Sequence, residues 1–526
     1  MSVPPIARRD GIAIGAATAA FLVVLVLWSM LTPVFGAPDE LAHFDSVLRF
    51  ALGYGWAAPG HAPYLNAVLA ARSELLTTGP SARPTLEALL AAHPGTSPST
   101  IDQMSQHPPT YYAVAAGLMH AVGFLHLRWD VDLAILRLFD SCLIAPLPLL
   151  AWATVRRLAH SNRAGLVGAM SIVLVPQVAL VGSAVTNDAP LMLFGGLTIW
   201  LGALVLTGDV RWRTTVALAL ASAAAVATKA TGYPSLFFVI LVLLVLFTGR
   251  LRSARSVAQF VVAGVIVAAL GGAWWLRNIV VYHQLQPAGL VRAVLPWPPG
   301  HGPNVGGFFV TEWNHVTSSF WGDFGLVPTP TAITISGTLT GVLTVGSIAV
   351  IVLFAFRRRS GLRAPIALGA LVVTTIVLQL GNNWQSYAAT HLVSGDQGRY
   401  YFPSIIALVA LVALGLSNAV RSEVTRLMVG RALVTLAVLV ALYGLVVAFL
   451  GFYQGGSELP TPAGFQALRG ATTLGSISLL AVIVLTVVFG GVTVVLVWRG
   501  LAAPPRETGP HERGMLRRGA HAGTSS

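Results

Sequence analysis

Charge is what this sequence has least of. Only 10% of its 526 residues are Asp, Glu, Lys or Arg, against about 25% in soluble globular chains. With 55% hydrophobic residues and a mean hydropathy of +0.75, a soluble enzyme is excluded. Cysteine is nearly absent too: Cys142 stands alone inside an apolar run, so no intrachain disulfide and no cysteine-based metal site can form. Lysine is scarcer than arginine, since Lys229 is the single lysine among 32 basic residues. The wealth of Leu, Ile, Val and Phe rules out disorder over most of the chain. Only 500–526, rich in Pro, Gly and Arg, reads as a disordered tail.

What the sequence does contain is apolar runs. A helix crosses hydrocarbon in about 20 residues, and twelve segments qualify, near 11–33, 132–154, 164–184, 189–207, 214–229, 233–248, 257–276, 331–355, 364–381, 400–418, 432–451 and 474–498. The fifth and sixth are the shortest. The expected fold class is an all-α integral membrane protein with about 12 transmembrane helices. A thirteenth candidate, 109–125, is short and begins at Pro108-Pro109; the distribution of arginine decides its path. If it lies at the interface, the connections at 155–163, 208–213, 249–256, 356–363 and 419–431 share one side with both termini. That side then holds 22 of the 32 basic residues and 5 of the 19 acidic ones. The segment 109–125 is therefore read as an interfacial helix, with both termini cytoplasmic. The first span is longer than a signal-peptide core and is followed by a poor cleavage site, so it is expected to stay attached.

This threading makes 1–10 a cytoplasmic N-terminus and 11–499 a transmembrane domain. Its outer loops are 34–131, 277–330 and 382–399, and they carry most of the acids and histidines. Chemistry is expected on the outer face.

The first outer loop opens with Pro38-Asp39-Glu40-Leu41-Ala42-His43-Phe44. Pro38 and the two acids suit a helix start, which puts Asp39 and His43 on one face at i and i+4. That pair can bind a metal or act as carboxylate and imidazole in general-base work; the bland alternative is helix capping. His107 follows, held before Pro108-Pro109 and the aromatic pair Tyr111-Tyr112. Thr186-Asn187-Asp188 fill a short outer turn, Lys229 ends the fifth span, and Arg277-Asn278 end the seventh after Trp274-Trp275. Such groups near hydrocarbon need partners. Arg137 and Asp140, at i and i+3, read as a structural pair that neutralise each other. Gln397, Arg399 and Tyr400 precede the tenth span, where an arginine fork suits phosphate and the ring borders a lipid chain.

Taken in order, P-D-E-x-x-H-F, H-P-P-x-Y-Y, N-D, T-K-x-T-G, W-W-L-R-N, S-F-W-G-x-F-G and Q-G-R-Y-x-x-P resemble an uncharacterised bacterial family of polytopic membrane proteins within the GT-C glycosyltransferases. The resemblance spans residues 10 to 420. It implies a GT-C-like enzyme with interfacial helices in a large first outer loop. Such an enzyme moves a sugar from a polyprenyl-phosphate-type donor, usually with inversion, at the outer face of the bacterial plasma membrane. Its partners are the polyprenyl-phosphate-linked sugar, membrane lipid, and an envelope glycan, lipid or protein as acceptor, with no nucleic acid. The central acid maps to Asp39, with Glu40 as competitor and His43 as orienting partner. Lys229, Arg277 and Arg399 are expected to clamp the phosphate, and His107, Tyr111 and Asp188 to shape the acceptor side. No cofactor is fixed; a divalent cation, Mg²⁺ or Mn²⁺, has Asp39, His43 and Asp188 as candidate ligands. The isolated Asn-Asp pair departs from the D-x-D and D-x-E patterns and counts against that site.

Two other readings compete. A lipid-linked glycan ligase or polymerase would share the donor class. A transporter or flippase would show mid-membrane charges and repeated architecture; no repeat is visible, and only Arg137 and Asp140 approach mid-span.

Overall fold

The computed structural model describes residues 4–75, 77–248, 253–290, 293–325, 333–357, 363–420, 422–455 and 459–502. From residue 503 onward the expected tail lies outside the described residues. Helix α1 (Arg8–Leu31) leads into a first loop with α2 (Glu40–Ala51), α3 (Asn66–Glu74), α4 (Leu86–Ala92) and α5 (Thr110–Val122). Then come α6 (Trp129–Ile144), α7 (Leu147–Ala159), α8 (Asn162–Val173), α9 (Pro176–Gly182), α10 (Asp188–Leu206), α11 (Trp212–Val226), α12 (Tyr233–Thr248) and α13 (Ala254–Ile266). The rest are α14 (Ala273–Tyr282), α15 (Val305–Trp321), α16 (Gly337–Arg357), α17 (Arg363–Thr390), α18 (Ile405–Ala419), α19 (Glu423–Tyr453), α20 (Pro462–Ala471) and α21 (Ser476–Ala502). A small antiparallel pair, Pro63–Leu65 with Thr96–Ile101, lies in the first loop. Sequence reading did not anticipate it.

Among the described residues, nine helices are long and apolar enough to cross a membrane, ten if the bent pair α8 and α9 is one span. The 64° bend falls where Pro176 opens α9, because proline supplies no amide hydrogen to continue α8. The expected count of twelve is approximate for a physical reason. Its fifth and sixth members fall on two shorter apolar helices, Trp212–Val226 and Ala230–Val245, and 16 residues rise only about 24 Å. The segment 109–125 forms the 13-residue α5, also too short to span; Tyr111 and Tyr112 are buried on it.

Among the described residues, four of the five arginine-rich connections lie close to one another. Arg156 bonds the Pro4 carbonyl and Asn162 donates to Asp10 at 2.8 Å, so the N-terminus sits on the 155–163 turn. Arg163 reaches Glu423 at 2.7 Å, Arg157 reaches Thr207 at 2.7 Å, and Gln259 donates to the Val210 carbonyl at 3.0 Å. Four connections and one terminus thus share a side.

On the opposite side Arg137 determines how the first loop attaches. Its guanidinium makes a forked pair with Glu40 at 2.7 and 2.6 Å and donates to the carbonyls of Ser29, Thr32 and Pro33. Arg137 therefore pairs with Glu40 and not with Asp140, which accepts from Tyr111 Oη at 2.8 Å and from the Thr186 amide at 2.9 Å. Three carbonyls at and just beyond the end of α1 explain the choice: only a fork with five donors reaches them and a carboxylate together. Removing one partner of such a buried pair costs about 3–5 kcal/mol. Arg137→Ala is expected to lower the unfolding temperature in detergent sharply, and an unchanged melting curve would contradict this bracing role.

Candidate active site

The residues that meet on the side away from the basic turns come from four separate stretches of chain. Asp39 precedes α2, Asp188 opens α10, Lys229 lies in the turn after α11, and Arg399 lies in a 3₁₀ segment, Gly398–Ser404, before α18. Arg399 Nη2 contacts Asp39 Oδ2 at 2.5 Å across 360 positions of sequence, and Lys229 Nζ contacts Asp188 Oδ1 at 2.6 Å. A third contact, Arg399 Nη1 to Asp188 Oδ2 at 3.6 Å, joins the two pairs. Both cations also lie over the Tyr400 ring, Lys229 at 5.2 Å and Arg399 at 5.3 Å from its centre. Cation–π attraction fixes them beside one another where their charges alone would repel.

Asp39 is not a helix cap. Its side chain makes no capping bond, and its backbone is left-handed at φ 57°, a conformation that a non-glycine residue holds only under local constraint. Arg399 and Gln103, which donates to Asp39 Oδ1 at 3.2 Å, supply that constraint. Burial raises the Asp39 pKa, but the charge and hydrogen bond of Arg399, helped by Lys229, outweigh it and hold the carboxyl down at about 2. Asp39 is a carboxylate at neutral pH.

His43 faces a different set of partners from those its spacing suggested. Its Nδ1 lies 2.9 Å from Tyr112 Oη and its Nε2 3.4 Å from Thr186 Oγ1. Burial, then Lys229 and Arg399, hold its pKa near 3 against the pull of Asp39 and Asp188, so the imidazole is neutral. His107 is buried as well, with its carbonyl accepting from Trp56 Nε1 at 3.1 Å. Burial first and Lys229 next hold its imidazole well below the ordinary value. Asn187 Nδ2 lies 3.5 Å from Tyr112 Oη, which closes the cluster.

Several expected residues stand elsewhere. Glu40 is consumed by Arg137 and the Val185 amide. Tyr111 turns its hydroxyl to Asp140, leaving Tyr112 to face His43. Arg277 packs over Trp274 and Tyr282 and donates to Asn278, which in turn donates to the Leu285 carbonyl; none of these bonds reaches Asp39 or Arg399. Gln397 is exposed, and its carbonyl accepts from the Tyr400 amide. Gln103 was missed, and Thr186 and Tyr112 were named only as neighbours of Asp188 and Tyr111. For Tyr112 the signal was its adjacency to Tyr111, and one residue of helical rotation decided between them.

Of the candidate cation ligands, Asp39 and Asp188 are engaged by Arg399 and Lys229 and His43 by Tyr112 and Thr186, and among the described residues no three His, Cys, Asp or Glu are grouped to hold a metal.

Two glycines let the chain pass where the site needs it. A Cβ on Gly398 would lie 2.2 Å from the Phe320 amide nitrogen, and one on Gly232 would lie 2.4 Å from the Ala225 carbonyl oxygen. Each fixes a turn beside a cation.

Residues 106–275 match the model of a family described as dolichyl-phosphate-mannose-protein mannosyltransferase. The matched stretch contains His107, Tyr112, Asp188 and Lys229, and excludes Asp39 and Arg399. No curated protein matches the sequence. Solved structures similar to this chain include ArnT from Cupriavidus metallidurans bound to undecaprenyl phosphate, at 15% identity and TM-score 0.45, covering 93% of this chain and 77% of that one. The archaeal oligosaccharyltransferase AglB from Archaeoglobus fulgidus, in complex with an inhibitory peptide and a dolichol-phosphate, is 12% identical with TM-score 0.38, covering 95% and 59%. The family match covers 170 of the 526 residues, and its description is similar to the class that the ordered motifs resemble.

The ion pair has a direct electrostatic consequence. In Arg399→Gln, burial acts on Asp39 with its main opposing charge removed, so the carboxyl should titrate higher than about 2. Infrared difference spectra of the carboxylic-acid band against pH would show the rise, and an unmoved midpoint would show that Arg399 does not set the ionisation of Asp39.

Proposed function

We propose that this protein is a membrane glycosyltransferase that moves a sugar from a polyprenyl-phosphate-type lipid to an acceptor at the outer face of the bacterial plasma membrane, in cell-envelope glycan synthesis. The observation that carries this reading is the pairing of Lys229 and Arg399 over one aromatic ring, each held by a carboxylate. A lipid phosphate is a dianion or diester anion that must be gripped at the edge of hydrocarbon, and a guanidinium fork with an ammonium beside it suits that task. The outer placement rests on the arginine count, which puts both termini in the cytoplasm.

The same geometry suggests how the base is controlled. While Arg399 is paired with Asp39, a carboxyl held at about 2 is a feeble proton acceptor. Donor phosphate competes for Arg399 and Lys229, which weakens their hold on Asp39 and raises its basicity toward the range useful for catalysis. The acceptor hydroxyl then attacks the anomeric carbon and gives its proton to Asp39. The bond from that carbon to the phosphate oxygen breaks, and the lipid phosphate leaves with the electron pair, its charge stabilised by the two cations. A single displacement of this kind inverts the anomeric centre. Neutral His43 and His107, with Tyr112 and Asn187, line the side from which hydroxyl groups are recognised; Asp188 holds Lys229 in place.

Purified protein in proteoliposomes, given labelled polyprenyl-phosphate sugar, tests this reading. Asp39→Asn is expected to lower transfer by about 10²–10⁴-fold while donor binding persists. Transfer near the wild-type level would remove Asp39 as the base. Arg399→Ala is expected to lose donor binding, and retained binding would remove the phosphate clamp.

A further inference from the structure

The 3₁₀ segment that presents Arg399 is gripped from behind by polar groups for which the proposed chemistry has no use. On α17, Gln379 Nε2 donates to the Gly395 carbonyl at 2.7 Å and to Asn383 Oδ1 at 2.9 Å. Asn383 Nδ2 in turn donates to Glu312 Oε1 on α15 at 2.6 Å. One turn further along α15, His315 Nδ1 contacts Asp396 Oδ2, and one turn beyond that Ser319 Oγ accepts from the Gly398 amide at 2.8 Å. Residues 312, 315 and 319 share one face of a helix. They engage, directly or through Asn383 and Gln379, residues 395, 396 and 398 in order, and the next residue is Arg399.

Stability alone is a poor explanation for this arrangement. Glu312 is only 3% exposed, its Oε1 is held by a neutral amide, and its Oε2 is buried without a hydrogen-bond partner. Burial accordingly pushes its carboxyl pKa up. Apolar residues of like volume would serve packing at least as well, whereas a buried polar chain fixes direction, because each donor has one acceptable partner at one angle. Direction is what a phosphate clamp needs. A long arginine side chain grips an anion productively only if its backbone is already placed.

We propose that Glu312, Asn383, Gln379 and the His315–Asp396 contact are positioning residues that set Arg399 for a lipid-linked phosphate. None of them touches the phosphate; they act through the backbone of 395–398. The proposal rests on Arg399 binding donor phosphate, as argued above, and the variants below separate the two.

The test uses the full chain in nanodiscs with undecaprenyl phosphate as the probe, reading its apparent Kd and, in parallel, the unfolding temperature. Asn383→Ala and His315→Ala are expected to weaken probe binding by about tenfold or more, as displacement of a positioned group does. Glu312→Gln keeps the oxygen that accepts from Asn383 and should bind like the wild type, whereas Glu312→Leu should bind like Asn383→Ala. That rescue is a result a simple packing role would not give. Should Asn383→Ala fail to fold, His315→Ala decides, since its side chain is 60% exposed and its loss leaves the packing intact. Binding within about twofold of wild type in His315→Ala and Asn383→Ala, with binding lost in Arg399→Ala, would overturn the positioning role and leave the phosphate reading standing. Undiminished binding in Arg399→Ala would overturn both.

Discussion

A charge at the margin of hydrocarbon must find a counter-charge or lose its ionisation, and this fold answers that demand with two linked pairs. Asp39 meets Arg399 and Asp188 meets Lys229, with Tyr400 beneath both cations. Four stretches of chain are thereby tied at one place: the start of α2, the start of α10, the turn after α11 and the segment before α18. Glu40 and Arg137 make a third pair beside them that anchors α2 to the end of α1. The left-handed backbone of Asp39 belongs to the same constraint, since relaxing it would turn the carboxylate away from Arg399.

The pairs are well suited to being interrupted. A carboxylate and a phosphate oxygen make the same kind of bond to a guanidinium, so in the proposed function Asp39 and Asp188 hold the cations that a lipid phosphate would take. An empty site of two bare cations would be costly so near the membrane; a site closed by its own acids is stable and ready for exchange. In the proposed function that exchange would also link donor binding to proton acceptance, because the group that loses its cation is the group that becomes basic.

Much of this was legible in the sequence. Run lengths gave the membrane class, and the arginine count gave a shared face for the N-terminus and the basic turns, which Arg156, Arg163 and Gln259 bear out by contact. The motifs contained Asp39, Asp188, Lys229 and Arg399, which the fold brings together. What was not legible is partner choice. Arg137 and Asp140 are neighbours in helical spacing, yet Arg137 goes to Glu40, because the carbonyls of Ser29, Thr32 and Pro33 that it also satisfies lie there. Tyr111 and Tyr112 differ by about 100° of helical rotation, and the way α5 docks between α2 and α6 selects which one meets His43 and which meets Asp140. Arg277 ended an apolar run just as Arg399 began one, and nothing in either run shows that one is exposed against Trp274 while the other is buried. The fifth and sixth runs had the composition of spans without the length. Composition and spacing are local; these choices are tertiary.

The central claim is that Lys229 and Arg399 form a phosphate site held shut by Asp39 and Asp188. The most direct measurement is a structure of the protein in nanodiscs with undecaprenyl phosphate. The account predicts phosphate density over Tyr400 within hydrogen-bond reach of both cations, with the Asp39 carboxylate moved off Arg399. Phosphate bound elsewhere, with both ion pairs intact, would contradict it.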